Sequence, residues 1–276
     1  VNPQATAIGV FDSGVGGLSV LRALRALLPA QPVFYFADQQ HVPYGNRPLE
    51  EVRLFSEQIT RFLLARGAGL IVVACNTASA AALHYLRSVF SALPFVGMEP
   101  AVKPAAEYTH SGKVGVLATP ATFQGALYAS VVERFAAGVQ IFTATCPGLV
   151  DEIEAGRLDS SRTRQILKKA LTSMLHAGID TVVLGCTHYP FVIPQIESLC
   201  GSSVRVIDPA PAVARQTRRL LEQHGLLAPG DQPAEVTYFT SGDAQNFARL
   251  LRQLLGESGQ VIPVRWQENQ LADWLA

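Results

Sequence analysis

Ile71-Val72-Val73-Ala74-Cys75-Asn76-Thr77-Ala78 and Val182-Val183-Leu184-Gly185-Cys186-Thr187-His188-Tyr189 are built to one design. Each is an apolar run of strand type that ends in a small residue and a cysteine, with amide, hydroxyl or imidazole groups directly behind. Such a run reads as a buried strand. The thiol then stands at the carboxyl end of that strand, beside backbone N–H groups opening toward the next helix, where ligands of open α/β sheets collect. Two thiols so placed point to a two-sided site. Proton exchange at a carbon approached from opposite faces needs one acid/base group on each side, and two thiols would serve.

Outward from these segments, apolar runs with β-branched or aromatic residues recur at 6–11, 33–36, 70–74, 114–118, 139–142, 181–184, 204–207 and 236–239. Helical periodicity fills most of the intervals, at 18–28, 49–65, 77–90, 123–136, 161–176, 212–224 and 246–255. This alternation predicts the α/β class, with parallel sheets, right-handed crossovers and helices on both faces. Prolines at 94–104 and 209–211 interrupt the rhythm once after each cysteine segment and mark crossovers between two lobes. One lobe is expected to hold 1–99 and 209–276 and to carry Cys75, the other 100–208 with Cys186. A chain of 276 residues is long enough to divide in this way around a cleft.

A formal net charge of zero with 16% charged residues excludes the basic excess of a nucleic-acid binder, so the expected partner is a small neutral or zwitterionic molecule. The start of the chain has no cationic flank, and no apolar stretch reaches membrane length, so no membrane association and a cytoplasmic location are expected. Four widely spaced cysteines form neither a disulfide framework nor a CxxC pair, in keeping with a reducing compartment. Cys146 and Cys200 lack polar clusters of their own and read as packing residues.

Other loops complete the site. The first strand runs into Asp12-Ser13-Gly14-Val15-Gly16-Gly17, whose glycines let backbone N–H groups approach an anion at a helix start. A dinucleotide fingerprint fails there, because Ser19 stands at the third glycine position. Asp12 reads as a structural cap, as an acceptor for a substrate ammonium, or as a group orienting a thiol. Tyr44-Gly45, behind Pro43, offers a phenol and a free backbone amide to close over a small ligand. Thr119 reads as a ligand contact or helix cap and Thr122 as a capped-helix residue. Asp151, Glu152 and Glu154 lie on one short helical pattern and, as acids on a helix, read as surface. A soft metal site of Cys75, Cys186 and His188 is the competing reading, but it lacks a fourth ligand, so no metal is expected. None of the four lysines lies in these loops, so no Schiff-base cofactor is implied.

Taken together, Asp12-Ser13, Pro43-Tyr44-Gly45, Cys75-Asn76-Thr77 and Gly185-Cys186-Thr187-His188-Tyr189-Pro190 resemble the glutamate racemases of the cofactor-independent aspartate/glutamate racemase superfamily. The likeness runs from Ile8 to beyond Asp208. His188, where aspartate racemases typically carry Glu, favours glutamate. One departure is His41, at a place where the family pattern leads to an arginine. The resemblance implies two pseudo-symmetric α/β lobes, with L- or D-glutamate held in the cleft and its α-carbon between Cys75 and Cys186. It implies that Cys75 acts on D-glutamate and Cys186 on L-glutamate, with Asp12 and His188 as auxiliary acid/base groups. Ser13, Tyr44, Gly45, Asn76, Thr77, Thr119, Thr122 and Thr187, with Asp12 and His188, would bind the substrate, and Pro43 belongs to the same loop. A further catalytic acid maps onto Glu154, with Glu152 as the alternative. The resemblance also implies a homodimer, no cofactor, and supply of D-glutamate to cell-wall peptidoglycan.

Overall fold

Among the described residues every strand pairing but one is parallel. In the computed structural model, which describes residues 6–99, 101–136, 138–268 and 270–273, the strands are β1 (Ala7–Asp12), β2 (Val33–Ala37), β3 (Ala68–Val73), β4 (Phe95–Gly97), β5 (Lys113–Ala118), β6 (Gln140–Ala144), β7 (Thr181–Gly185), β8 (Arg205–Ile207), β9 (Val236–Thr240), β10 (Val261–Gln267) and β11 (Gln270–Asp273). The helices are α1 (Leu18–Leu27), α2 (Leu49–Ala65), α3 (Asn76–Val89), α4 (Val102–Tyr108), α5 (Pro120–Gln124), α6 (Ala126–Phe135), α7 (Leu149–Glu154), α8 (Ser161–His176), α9 (Ile193–Cys200), α10 (Ala210–Gln223) and α11 (Ala244–Leu255). Residues 1–5, 274–276 and Pro100, which the expected lobe limits and crossover include, lie outside the described residues.

One sheet has seven strands in the order β11-β10-β9-β2-β1-β3-β4, the other four in the order β6-β5-β7-β8. The pair β10–β11 is antiparallel. Every residue of β1 is buried, as expected of a strand inside a helix-covered parallel sheet, and it is apolar up to Asp12 at its carboxyl end. Fully burying each of its large aliphatic side chains contributes about 1.5–3 kcal/mol. Apolar packing is continuous from one sheet to the other: Ile8, Val10, Leu18 and Leu21 belong to the same buried cluster as Leu117, Leu167, Val182 and Leu184.

Register sets the site. Asp12 lies opposite Ala37 and Phe11 opposite Val73, so β1, β2 and β3 end level, and the residues that follow, Asp12 to Gly17, Asp38 onward and Cys75, share one sheet edge. In the second sheet Ala118 lies opposite Gly185 and Leu117 opposite Ala144, which brings Thr119 and Cys186 to the corresponding edge. The expected helix over 123–136 is divided at Gly125, whose extended ψ of 137° separates α5 from α6. There the chain passes so close to α3 that a Cβ on Gly125 would stand 2.6 Å from the Ala80 Cβ. The short β4 and α4, and the pair β10–β11, carry too little periodic pattern to be read from sequence and form on the edges of structure already in place.

Candidate active site

Cys75 caps α3. Its Sγ accepts the Ala78 N–H at 3.4 Å, so the thiol sits on the positive end of the helix. Burial outweighs this: together with the nearby Asp12 carboxylate it pushes the Cys75 thiol far above its ordinary pKa, against the Ala78 and Thr77 N–H groups that favour the thiolate. Asp12 is fully buried, and its Oδ1 accepts Thr187 Oγ1 at 2.9 Å while Oδ2 accepts the Gly14 N–H at 2.9 Å. Burial raises its carboxyl too, against the pull of His188 and these hydrogen bonds. Asp12 therefore ties the first glycine loop to the segment that carries Cys186.

Cys186 Sγ lies 3.8 Å from His188 Nδ1, and His188 Nε2 lies 2.6 Å from Glu154 Oε1. Burial alone would lower the His188 pKa, but the hydrogen bonds and charges of Cys186 and Glu154 hold it well above its ordinary value. Glu154 Oε1 also accepts the Val15 N–H at 2.7 Å, and Oε2 accepts Gln39 Nε2 at 2.9 Å. The anion approached by the glycine loop is thus a side chain of this chain. Glycine is needed for that approach: a Cβ on Gly14 would overlap the Glu154 carboxyl group, and one on Gly16 the His188 ring.

Ser13, Pro43, Tyr44, Gly45, Cys75, Asn76, Thr77, Thr119, Cys186, Thr187 and His188 line one cavity, with Val150. Thr122 stands behind it, linked to Thr119 at 2.9 Å and to Thr77 at 3.4 Å, and Thr77 meets Thr119 at 2.9 Å. This hydroxyl triangle joins α3 of one sheet's helices to α5 of the other's. Asn76 is 3% exposed, and among the described residues both its Nδ2 and Oδ1 lack a hydrogen-bond partner. A buried amide facing a cavity with both ends free is matched to a polar ligand.

Two expectations from sequence change. Asp151 is exposed as expected, but Glu152 is buried, because Arg157, Arg162 and Ser160 surround its carboxylate, and Arg157 above all holds its pKa down to about 2. Glu154 is not surface either: its side chain is 12% exposed and faces His188. The structure thus brings Glu154, and not Glu152, to the thiol pair. Cys146 is buried as expected of a packing residue, and burial pushes its thiol up to about 12. Among the described residues, no three His, Cys, Asp or Glu side chains are grouped to hold a metal ion, and no helix is long and apolar enough to cross a membrane.

Sequence reasoning missed the residues that hold these groups. Fully buried Asp38 accepts Tyr44 Oη at 2.6 Å, Ser241 Oγ at 2.7 Å and Trp266 Nε1 at 2.7 Å, and lies 2.9 Å from His41 Nδ1. His41, the departure from the family pattern, stacks on Phe55 at 4.0 Å. Tyr35 donates to the Gly14 carbonyl at 2.8 Å. Only the position of Asp38 and Gln39 directly after a strand could have singled them out.

The cleft carries a thiol on either wall, each just beyond the carboxyl edge of its own parallel sheet. Residues 8–217 match the Asp/Glu/Hydantoin racemase family, and the chain belongs to it. It is 53% identical over 262 residues to the glutamate racemase of Ectopseudomonas mendocina, an alignment covering 95% of this chain and 99% of that protein. Among solved structures it is similar to a glutamate racemase isoform from Bacillus anthracis, with a TM-score of 0.85, 32% identity and coverage of 96% and 98% of the two chains. The glutamate racemase of Francisella tularensis, determined in complex with D-glutamate, matches with a TM-score of 0.81, 28% identity and coverage of 93% and 96%.

Proposed function

We propose that the chain interconverts L- and D-glutamate without a cofactor, through Cys75 and Cys186 acting from opposite faces of the α-carbon. The observation that carries this reading is the single cavity lined by both thiols, each supported by its own helper groups. In the L-to-D direction the Cys186 thiolate takes the α-proton, and the electron pair left on carbon delocalises into the carboxylate. The Cys75 S–H then delivers its proton to the other face, leaving a thiolate at Cys75 and a thiol at Cys186. The reverse run restores the starting state. Burial and the nearby Asp12 carboxylate favour the protonated Cys75 thiol, which suits it to be the proton donor in the L-to-D direction. A free thiol is only a few per cent thiolate at neutral pH; the His188 imidazolium, held protonated beside Glu154, supplies positive charge at Cys186. Asn76, Ser13, Thr77, Thr119 and Thr187 supply fixed donors for the α-carboxylate, where negative charge grows in the transition state, and acceptors for the ammonium.

The strands on either side of the crossovers support assigning 1–99 with 209–276 to one lobe and 100–208 to the other. The same family likeness supports a cytoplasmic homodimer that supplies D-glutamate for peptidoglycan; light scattering of the purified protein tests the dimer. Circular dichroism of either enantiomer, incubated with dialysed protein in excess chelator, tests the reaction. Loss of optical activity is expected, and retention refutes the reading. Cys75→Ser and Cys186→Ser should each abolish racemisation, because a hydroxyl titrates far outside the range of proton transfer. Near-normal turnover by either would reduce that cysteine to packing.

A further inference from the structure

Gln39 belongs to none of the motifs that mark the site, yet it is the link between β9 and the Cys186 side of the cleft. Its Nε2 donates to Glu154 Oε2 at 2.9 Å, and its Oε1 accepts Thr240 Oγ1 at 3.0 Å. The orientation of this amide is forced. Thr240 Oγ1 accepts the Gly242 N–H at 3.0 Å, so its own proton is free to go to Gln39 Oε1, which leaves the Gln39 NH2 for Glu154. Thr240 is fully buried. The turn closes on the glutamine stem as well: a Cβ on Gly242 would stand 2.7 Å from the Gln39 Cβ. Backbone, hydroxyl and stem contacts therefore fix one rotamer and one amide orientation.

Glu154 lies on α7, whose neighbours belong to the four-stranded sheet, whereas Gln39 and the Val15 N–H both come from the seven-stranded one. Three donors meet the carboxylate: Val15 N–H and His188 Nε2–H on Oε1, and Gln39 on Oε2. A carboxylate held by one sheet's loops and paired with a histidine from the other is in place only when the two sides of the cleft are together. We infer that Gln39 is a positioning residue for the Cys186 half-reaction, holding Glu154 so that His188 keeps its Nδ1 side toward Cys186 when the cleft is closed. This rests on the reading of His188 and Glu154 as helpers of Cys186.

Gln39→Leu removes both hydrogen bonds at similar volume, and Thr240→Val leaves Gln39 in place with its amide free to turn. The measurements are kcat and the primary α-deuterium isotope effect for each enantiomer, with the melting temperature of each variant. Slower transfer at Cys186 makes that step more rate-limiting. Q39L should therefore lower kcat with L-glutamate about tenfold, the worth of one hydrogen bond to a charged group. Its isotope effect should rise with L-glutamate and fall with D-glutamate. T240V should move both isotope effects the same way by less, and Q39L should slow E154Q no further. A lowered kcat and melting temperature with unchanged isotope effects would make Gln39 merely structural and overturn the inference. If E154Q shows the asymmetric isotope effects and Q39L does not, the inference falls while the Cys186–His188–Glu154 reading stands. If E154Q shows none, both fall.

Discussion

Asn76 makes the cost of a prepared site visible in one side chain. A buried amide with neither end paired is unfavourable by about 1–3 kcal/mol, and both polar atoms of Asn76 are in that state among the described residues. Asn76→Ala should leave the empty protein as stable as the natural sequence or more so, by up to that amount, while KM for glutamate rises at least about tenfold. Thermal scans with and without glutamate check this: a large fall in stability of the empty variant would mean the amide has partners of its own. His188 gives a second residue-scale expectation, with a definite sign. Its pKa is raised in the folded protein, so its pairing stabilises fully below the ordinary imidazole value of about 6.5 and is lost as pH rises through the folded value. The stability gap between the natural protein and His188→Asn should therefore narrow from about pH 6.5 upward, by at most about 1.4 kcal/mol per pH unit. A gap that widens with pH would contradict a protonated His188.

At the scale of elements, β10 secures the loop over the cleft from a distance. Trp266, on that strand, donates to Asp38, whose other oxygen accepts the Tyr44 hydroxyl. Trp266→Phe keeps an aromatic but smaller side chain and deletes one of the donors to a fully buried carboxylate, worth about 1.5–3 kcal/mol. For a chain of this size that is a melting temperature lower by roughly 3–6 °C, and KM should rise with it as Tyr44-Gly45 loosens. An unchanged KM would confine Asp38 to folding. The same contrast between near and far marks what could be read from sequence. The long strands around Cys75 and Cys186 announce themselves, since they are continuous apolar runs bounded by polar residues. So does the helical periodicity of α8 and α11. Asp38, Gln39 and Trp266 do not, because their roles come from hydrogen bonds between segments more than two hundred residues apart, which no local pattern encodes. Glu154 is the intermediate case: helical periodicity made it a surface acid, and only the family likeness placed it in the site.

Over the whole molecule, the two sheets' edges face each other across one narrow cavity lined by both thiols, and admitting glutamate to it is expected to need those edges to move apart. The contacts that must yield are those crossing the mouth, above all the Gly45 backbone against Thr119 and the Thr77–Thr119 hydrogen bond. The contacts around α1 are part of the continuous buried core and, with Ser19 bonded to the Thr187 carbonyl at 2.9 Å, are suited to remain as the pivot. Gly45 offers a clean wedge. Its backbone is in a region open to alanine, but a Cβ there would stand 2.6 Å from the Thr119 Cβ across the cleft. Gly45→Ala should therefore hold the mouth slightly open while leaving each sheet and its helices intact. Misplacement on the ångström scale is enough to lower kcat/KM by up to about a hundredfold, equally for both enantiomers because the equilibrium between them is fixed. Steady-state kinetics, calorimetry and small-angle scattering decide it together. The expected outcome is a large fall in kcat/KM with a melting temperature near that of the natural sequence and no smaller radius of gyration. Full activity would show that the Tyr44-Gly45 loop does not have to meet Thr119 for the reaction to proceed.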